Sequence, residues 1–113
     1  MRDRVTDPTR IAQILASEVD GRERGAFGTL SVVDADRDAT PSPAGTPAYG
    51  VAADGDRIAT VVLYPERAAV EGDERLLAAA RDRDLSISDG GATVPDGAAV
   101  KRAAAALAER ATV

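Results

Sequence analysis

The dipeptide Asp54-Gly55 constrains this chain more than any other feature, because an apolar stretch lies on each side of it. Asp-Gly suits the two-residue turn of an antiparallel hairpin, in which both residues take positive φ angles. Simple pairing outward from this turn places Val51 opposite Ile58. The stretch from Ala48 to Val70 therefore predicts a central β-hairpin.

This simple register makes both faces of the hairpin apolar. An antiparallel sheet that is open to water on one side normally has a polar outer face. We therefore expect helices to cover one face, and the other to be buried in a two-fold homodimer. The alternative is a monomer with helices on both faces. The predicted interface consists of Tyr49, Val51, Ile58 and Val62, and the opposite face carries Gly50, Ala52, Ala59, Val61 and Leu63.

Helix and strand signals elsewhere predict one α+β domain over residues 1–113. Asp7-Pro8 fits the start of a helix that ends near Gly21, and Ala26 to Asp34 has the branched residues of a strand. Asp73 and Asp96 fit the caps of two further helices. The predicted order is helix, strand, hairpin, fourth strand, helix, short strand, helix. We expect an antiparallel sheet of three to four strands with a central hairpin, packed by three helices.

The segment after the hairpin has two interpretations. One helix could run from Glu66 to Asp84, but Gly72 would cost it about 1 kcal/mol. We favour a short strand, Ala68 to Glu71, that pairs back on the hairpin, followed by the helix that Asp73 caps. In this register Val61 lies opposite Val70, and Leu63 opposite Ala68.

The composition excludes several kinds of chemistry. The chain has no cysteine and no histidine. A disulfide scaffold, Ser-His-Asp or Cys-His catalysis and the commonest zinc ligands are therefore excluded. No catalytic, cofactor-binding or metal-ligating residue is predicted, and the sequence gives no positive sign of an enzyme. No apolar run reaches the ~20 residues of a membrane span, so we expect a cytoplasmic protein without a membrane partner.

The charge pattern argues against nucleic acid as a partner. The formal net charge is −5, with 13 aspartates and a single lysine, Lys101. The basic side chains of Arg22, Arg24 and Arg37 alternate with acidic neighbours, which weakens contacts to phosphate. A DNA-associated regulator acting through the C-terminal helix is the least favoured of our functional hypotheses.

The long irregular stretch from Ala35 to Pro47 is a candidate functional loop, because structureless connections of this length are often functional. Asp34, Asp36 and Asp38 at its start resemble the opening of a calcium loop. An EF-hand needs glycine at the sixth position and glutamate at the twelfth, and this chain has Ala39 and Gly45 there. An ordinary solvated acidic turn is the favoured interpretation. Tyr49 and Tyr64 are expected to be packing residues with hydroxyl groups in water.

Three stretches resemble a family of small, uncharacterised haloarchaeal proteins. They are TDPTRIAQILASEV (Thr6 to Val19), AYGVAADGDRIATVVLYPER (Ala48 to Arg67) and VKRAAAALAER (Val100 to Arg110). The resemblance implies a cytoplasmic protein that is stable in salt, and it implies no activity and no site. An acidic, aspartate-rich chain fits such a setting, because net charge keeps proteins soluble.

Our leading hypothesis is a non-enzymatic interaction or accessory module that forms a homo-oligomer. The alternative is a small-molecule-binding protein or minor enzyme that uses the 35–47 loop and Tyr49. The identity of its ligand is left open.

Overall fold

The computed structural model describes residues 7–21, 30–88 and 90–111. Its helices are α1 (Pro8–Gly21), α2 (Glu74–Arg81) and α3 (Val100–Ala111), with a 3-10 turn (Gly97–Ala99) leading into α3. Its strands are β1 (Leu30–Val33), β2 (Thr46–Ala53), β3 (Asp56–Tyr64), β4 (Arg67–Gly72), β5 (Ile87–Ser88) and β6 (Gly91–Val94). The predicted strand from Ala26 is described only from Leu30, and the rest of it lies outside these ranges.

The α+β prediction is confirmed, but the sheet has six strands among the described residues rather than three or four. The strand order is β1-β2-β3-β4-β6-β5, and every pair is antiparallel. The last two strands are short, and β5 falls within the predicted short strand from Leu85 to Ser88. β6 pairs with β4 over four residues, and β5 adds only Ile87 and Ser88 at the edge.

The three described helices lie on one face of the sheet. Most of their buried residues belong to a single apolar cluster with the strand residues that face them, and α3 contacts both α1 and α2. The largest fully buried side chains are Ile11, Leu15, Val19, Leu30, Val51, Val61, Leu63, Val70, Leu76, Val94, Val100 and Leu107. Alanine supplies much of the rest of the cluster, so the helices approach the sheet closely.

The predicted register of the central hairpin is wrong beyond Arg57. Pairing begins as predicted with Ala53 and Asp56, but the register shifts between Ala52 and Val51. Val51 therefore pairs with Ala59 rather than with Ile58, which is the extra residue of a β-bulge. A shift of one residue changes which side chains share a face. Tyr49 consequently pairs with Val61 on the helix-covered face.

The outer face of the sheet differs in composition from the prediction. Tyr49 and Val51 belong to the core, and the outer centre is formed by the small residues Ala52, Val62 and Ala69, which are nearly inaccessible. No described helix lies on this face, and the loop before β2 packs against part of it, since a Cβ at Gly45 would lie 2.8 Å from the Val62 side chain.

Two clusters of polar side chains also lie on the outer face. The guanidinium of Arg57 occupies the space where a Cβ at Gly50 would be, and forms an ion pair with Asp34 at 3.5 Å. At the far end of β3, the guanidinium of Arg67 lies 4.1 Å from the centre of the Tyr64 ring. The Tyr64 hydroxyl donates to Glu71 at 3.2 Å. This sheet face is therefore more polar than the sequence pattern indicated.

The local signals for turns and caps are confirmed. The strand interpretation of Ala68 to Glu71 is confirmed as well, with Val61 opposite Val70 and Leu63 opposite Ala68. The predicted caps are also present. The carboxylate of Asp73 accepts the Leu76 N–H at the start of α2, and that of Asp96 accepts the Ala99 N–H in the 3-10 turn before α3.

The turn between β2 and β3 supports a direct test. Asp54 has φ 51° and Gly55 has φ 89°, as the type I′ prediction requires, and nothing lies within 4 Å of a Cβ added at Gly55. A side chain there meets conformational strain without a steric clash. We expect Gly55→Val to lower the free energy of unfolding by about 1–3 kcal/mol, measured by urea titration.

Gly55→Asn is the matched control, because asparagine tolerates the left-handed conformation. It should retain most of the stability. Equal losses for both variants would show that the positive φ angle is not what the turn requires.

Candidate functional site

A cleft of about 430 Å³ lies between the first half of α1 and the loop that follows β1. Its floor is apolar and includes Val32, Ala48, Tyr49 and Leu63. Its rim is polar, with Thr9 and Gln13 on α1 and Asp36 and Arg37 on the loop. An apolar floor with a few polar groups at the edge is typical of small-molecule sites, and the volume falls within their usual range.

Tyr49 connects the floor of the cleft to its helical wall. The side chain is 6% exposed, and its hydroxyl donates to the backbone C=O of Ala12 on α1 at 2.7 Å. The expectation that this hydroxyl lies in water is wrong, because the register shift turns Tyr49 beneath the helix. A buried tyrosine hydroxyl normally finds a hydrogen-bond partner. Here that bond fixes the position of α1 over the sheet.

The loop wall of the cleft is held by backbone hydrogen bonds. The N–H of Asp36 donates to the C=O of Ala48 at 2.8 Å, which fastens the loop to β2. The N–H of Asp38 donates to the Asp36 carboxylate at 2.9 Å, and the N–H of Ala39 to the Asp36 C=O at 3.2 Å. These bonds form a compact turn around Asp36, so the wall has a defined shape.

The three aspartates of the loop do not converge on one point. Asp34, at φ 53°, forms the ion pair with Arg57, whereas the Asp36 carboxylate accepts the Asp38 N–H. Within the described ranges, no group of three acidic, histidine or cysteine side chains could hold a metal ion.

Arg37 is the cationic group of the cleft. Its side chain is exposed at the rim, and within the described residues it forms no ion pair or hydrogen bond. Its acidic neighbours in the sequence predict local neutralisation of its charge. The structure instead gives those neighbours other partners or leaves them in solvent, so the guanidinium is available to a ligand.

The sequence pattern did not identify the α1 residues that form the helical wall of the cleft. Thr9 and Gln13 are one turn apart, as are Ala12 and Ala16, and all four line the cleft. The pattern indicates a solvated polar face, and only the position of the loop shows that it faces a cavity. The sign of the cleft that the sequence does contain is the presence of small alanines beside polar residues on this side of α1.

The structure separates the four residues of the predicted interface. Tyr49 and Val51 are core residues, Ile58 lies half-buried at the bulge, and Val62 lies on the outer face. The structure therefore does not bring them together on one surface. Self-association itself is a separate matter and stays a prediction.

A smaller, charged groove of about 280 Å³ lies between α2 and α3. Arg110 forms a bidentate ion pair with Asp73, with distances of 2.8 to 3.1 Å. This ion pair lowers the pKa of Asp73 to about 2, with a further contribution from the Leu76 N–H. Arg83 pairs with Glu109 at the same interface. These ion pairs connect the two helices, which accounts for the groove structurally.

Comparison with protein families shows the family of this chain. The model described as a family of unknown function, DUF7993, matches residues 1–112. The chain belongs to DUF7993. This match confirms the predicted resemblance to an uncharacterised family. Comparisons of this DUF7993 chain with curated proteins and with solved structures gave no match. In the described part of the chain, no helix is long and apolar enough to cross a membrane.

The ion pair between α2 and α3 of the DUF7993 chain can be tested through its pH dependence. Asp73→Asn keeps a good helix cap but removes the charge that Arg110 binds. Because Asp73 is half-exposed, we expect the free energy of unfolding at pH 7 to fall by about 1 kcal/mol at most.

The pH dependence has a defined sign. The pKa of Asp73 falls from 3.8 to about 2 on folding, so its contribution is complete above pH 4 and is lost as the pH falls through about 2. The difference between wild type and variant, from urea titrations, should therefore shrink over this interval. Asp82→Asn, in the same groove, is the control. A constant difference would contradict the assignment.

Proposed function

We propose that this chain is a small-molecule-binding protein whose ligand occupies the cleft between α1 and the loop after β1. The cleft itself is the observation that carries the proposal. Its floor can bury an apolar group, and its rim provides hydrogen-bonding groups and one unpaired guanidinium. Such convergence of a few polar groups on an apolar cavity is the usual basis for assigning a binding site.

Binding without chemistry is the form of this function that the side chains favour. The Tyr49 hydroxyl already donates to the C=O of Ala12, and the Asp36 carboxylate accepts a hydrogen bond from its own loop. Nucleophilic catalysis needs a nucleophile within hydrogen-bonding reach of a base. The described rim offers Thr9 as its hydroxyl, and no bond from it to a base is present.

The cleft can be tested by blocking it. Ala16 lines the cleft and is half-buried, so Ala16→Phe should fill the cavity without entering the core. We expect a fragment library to contain ligands that shift the amide NMR signals of Gln13 and Ala39 in wild type and not in the variant. A ligand at about 100 times its Kd should stabilise the wild type by about 2.7 kcal/mol.

Ala105→Phe, at a half-buried alanine on α3 away from the cleft, is the matched control and should bind like wild type. Ligands that bind Ala16→Phe as tightly as wild type, or that shift only distant amides, would place binding elsewhere.

We propose self-association as a second function, in keeping with an interaction or accessory module. The supporting observation is that no described helix lies on the outer sheet face, whose central residues Val62, Ala52 and Ala69 are already nearly inaccessible and have polar side chains beside them. Two copies related by a two-fold axis would bury this face against itself. The proposed interface therefore excludes Tyr49 and Val51 and lies on the sheet face that carries Val62.

Sedimentation equilibrium in molar KCl tests this second function. Thr60 and Thr93 are half-buried on the outer face, so arginine at either position should be tolerated in the monomer and should prevent face-to-face contact. We expect a wild-type dimer and monomeric Thr60→Arg and Thr93→Arg variants, with exposed Arg75→Gln as the control. A wild-type monomer at micromolar concentration would overturn the proposal.

We also propose a haloarchaeal, cytoplasmic setting for the chain. Nine described aspartates are exposed, at positions 7, 34, 36, 38, 54, 56, 73, 82 and 84. Mutual repulsion among such charges weakens when salt screens it. We expect the thermal midpoint of unfolding to rise between dilute buffer and molar KCl. A midpoint that is flat or falling would remove the support for a halophilic origin.

A further inference from the structure

We propose that the ligand of the cleft is a small monocarboxylate with an apolar body, and that Arg37 binds its carboxylate. This inference rests on the proposed small-molecule function and specifies its ligand class. It combines the charge at the rim with the composition of the floor.

The first step concerns the cation. Of the described residues that line the cleft, Arg37 alone is basic, and it has no ion-pair or hydrogen-bond partner among the described residues. Other arginines near the sheet are engaged, since Arg57 pairs with Asp34 and Arg67 lies over the Tyr64 ring. A guanidinium presents its N–H groups as a planar fork that matches the two oxygens of a carboxylate.

The second step concerns the number of negative charges. Asp36 shares the rim with Arg37, and the exposed side chain of Asp38 follows directly in the chain. A second negative charge on the ligand would lie close to these carboxylates and be repelled. A monocarboxylate carries the single charge that the guanidinium can neutralise, whereas dicarboxylates and phosphate monoesters bring a second charge that these carboxylates repel.

The third step concerns the rest of the ligand. Below the rim, the cleft is bounded by Val32, Ala48, Tyr49 and Leu63, and on the helix side by Ala12 and Ala16. The Tyr49 hydroxyl already donates to the C=O of Ala12, so the tyrosine adds little polarity to the floor. Such a surface favours a hydrocarbon chain or ring over a sugar or nucleotide.

A matched series of probes with one hydrocarbon body tests the assignment. The series consists of hydrocinnamate, its neutral amide hydrocinnamamide, the cation phenylpropylamine and the dianion benzylmalonate. Amide NMR titrations at constant ionic strength give the Kd of each for the full chain. We expect hydrocinnamate to bind at least about tenfold more tightly than the other three, the magnitude of a hydrogen bond to a charged group.

Arg37→Gln separates the charge from the cavity. The variant should weaken hydrocinnamate to the level of hydrocinnamamide and leave the amide unchanged. Arg75→Gln, which removes an exposed arginine from α2, should bind all four probes like wild type. Because Arg37 is exposed and unpaired among the described residues, its replacement should not alter folding, which the thermal midpoint checks.

The outcomes distinguish the ligand class from the function itself. Equal binding of the acid and the amide, unaffected by Arg37→Gln, would overturn the carboxylate assignment and leave the binding function standing. Preferred binding of the amine would overturn it too, in favour of Asp36 as the determinant. If none of the four binds but other fragments occupy the cleft, the class is wrong. If no fragment occupies the cleft at all, the proposed function fails together with it.

Discussion

The β-bulge at Ile58 is the constraint on which the rest of the structure depends. One extra residue in β3 brings Tyr49 and Val51 onto the same side as Val61 and Leu63. The large apolar side chains of the hairpin can then all be buried by one layer of helices. Without the shift, they would be divided between two faces, and one layer could not cover them. The bulge thus makes a two-layer fold possible for a sequence whose simple pattern indicates two apolar faces.

The same shift creates the candidate site. It turns Tyr49 towards α1, where its hydroxyl reaches the C=O of Ala12. The long side chain of Tyr49 therefore connects the sheet to α1. The α1 residues on this side, Ala12 and Ala16, are short. The loop after β1 closes the open side through the bond between Asp36 and Ala48. A cavity remains because Tyr49 separates α1 from the sheet and because Ala12 and Ala16 are too small to fill the space. The hydrogen-bonded turn at Asp36 holds the loop at its side.

Much of the fold follows from local signals that the sequence displays directly. The turn at Asp54-Gly55, the caps at Asp73 and Asp96, and the pairing of β3 with β4 depend on residues close together in the chain. The bulge could not be predicted in this way. The simple register and the observed one both place Ala53 opposite Asp56, and the choice between them depends on which strand residues the helices bury. The site shares that limit, since Thr9, Gln13 and Arg37 become neighbours of a cavity only through packing. Tyr49 and the loop were recognised as candidates, but not their partners.

The alanine-rich layer between helices and sheet affects how stability varies with temperature. Alanine recurs throughout the buried cluster, from Ala59 and Ala68 in the sheet to Ala103, Ala104 and Ala108 in α3. Each buries less apolar area than leucine or valine would, and the heat capacity of unfolding scales with that area. A smaller heat-capacity change flattens the curve of unfolding free energy against temperature. We therefore expect the short side chains that allow close packing also to make the unfolding free energy of this chain vary less with temperature.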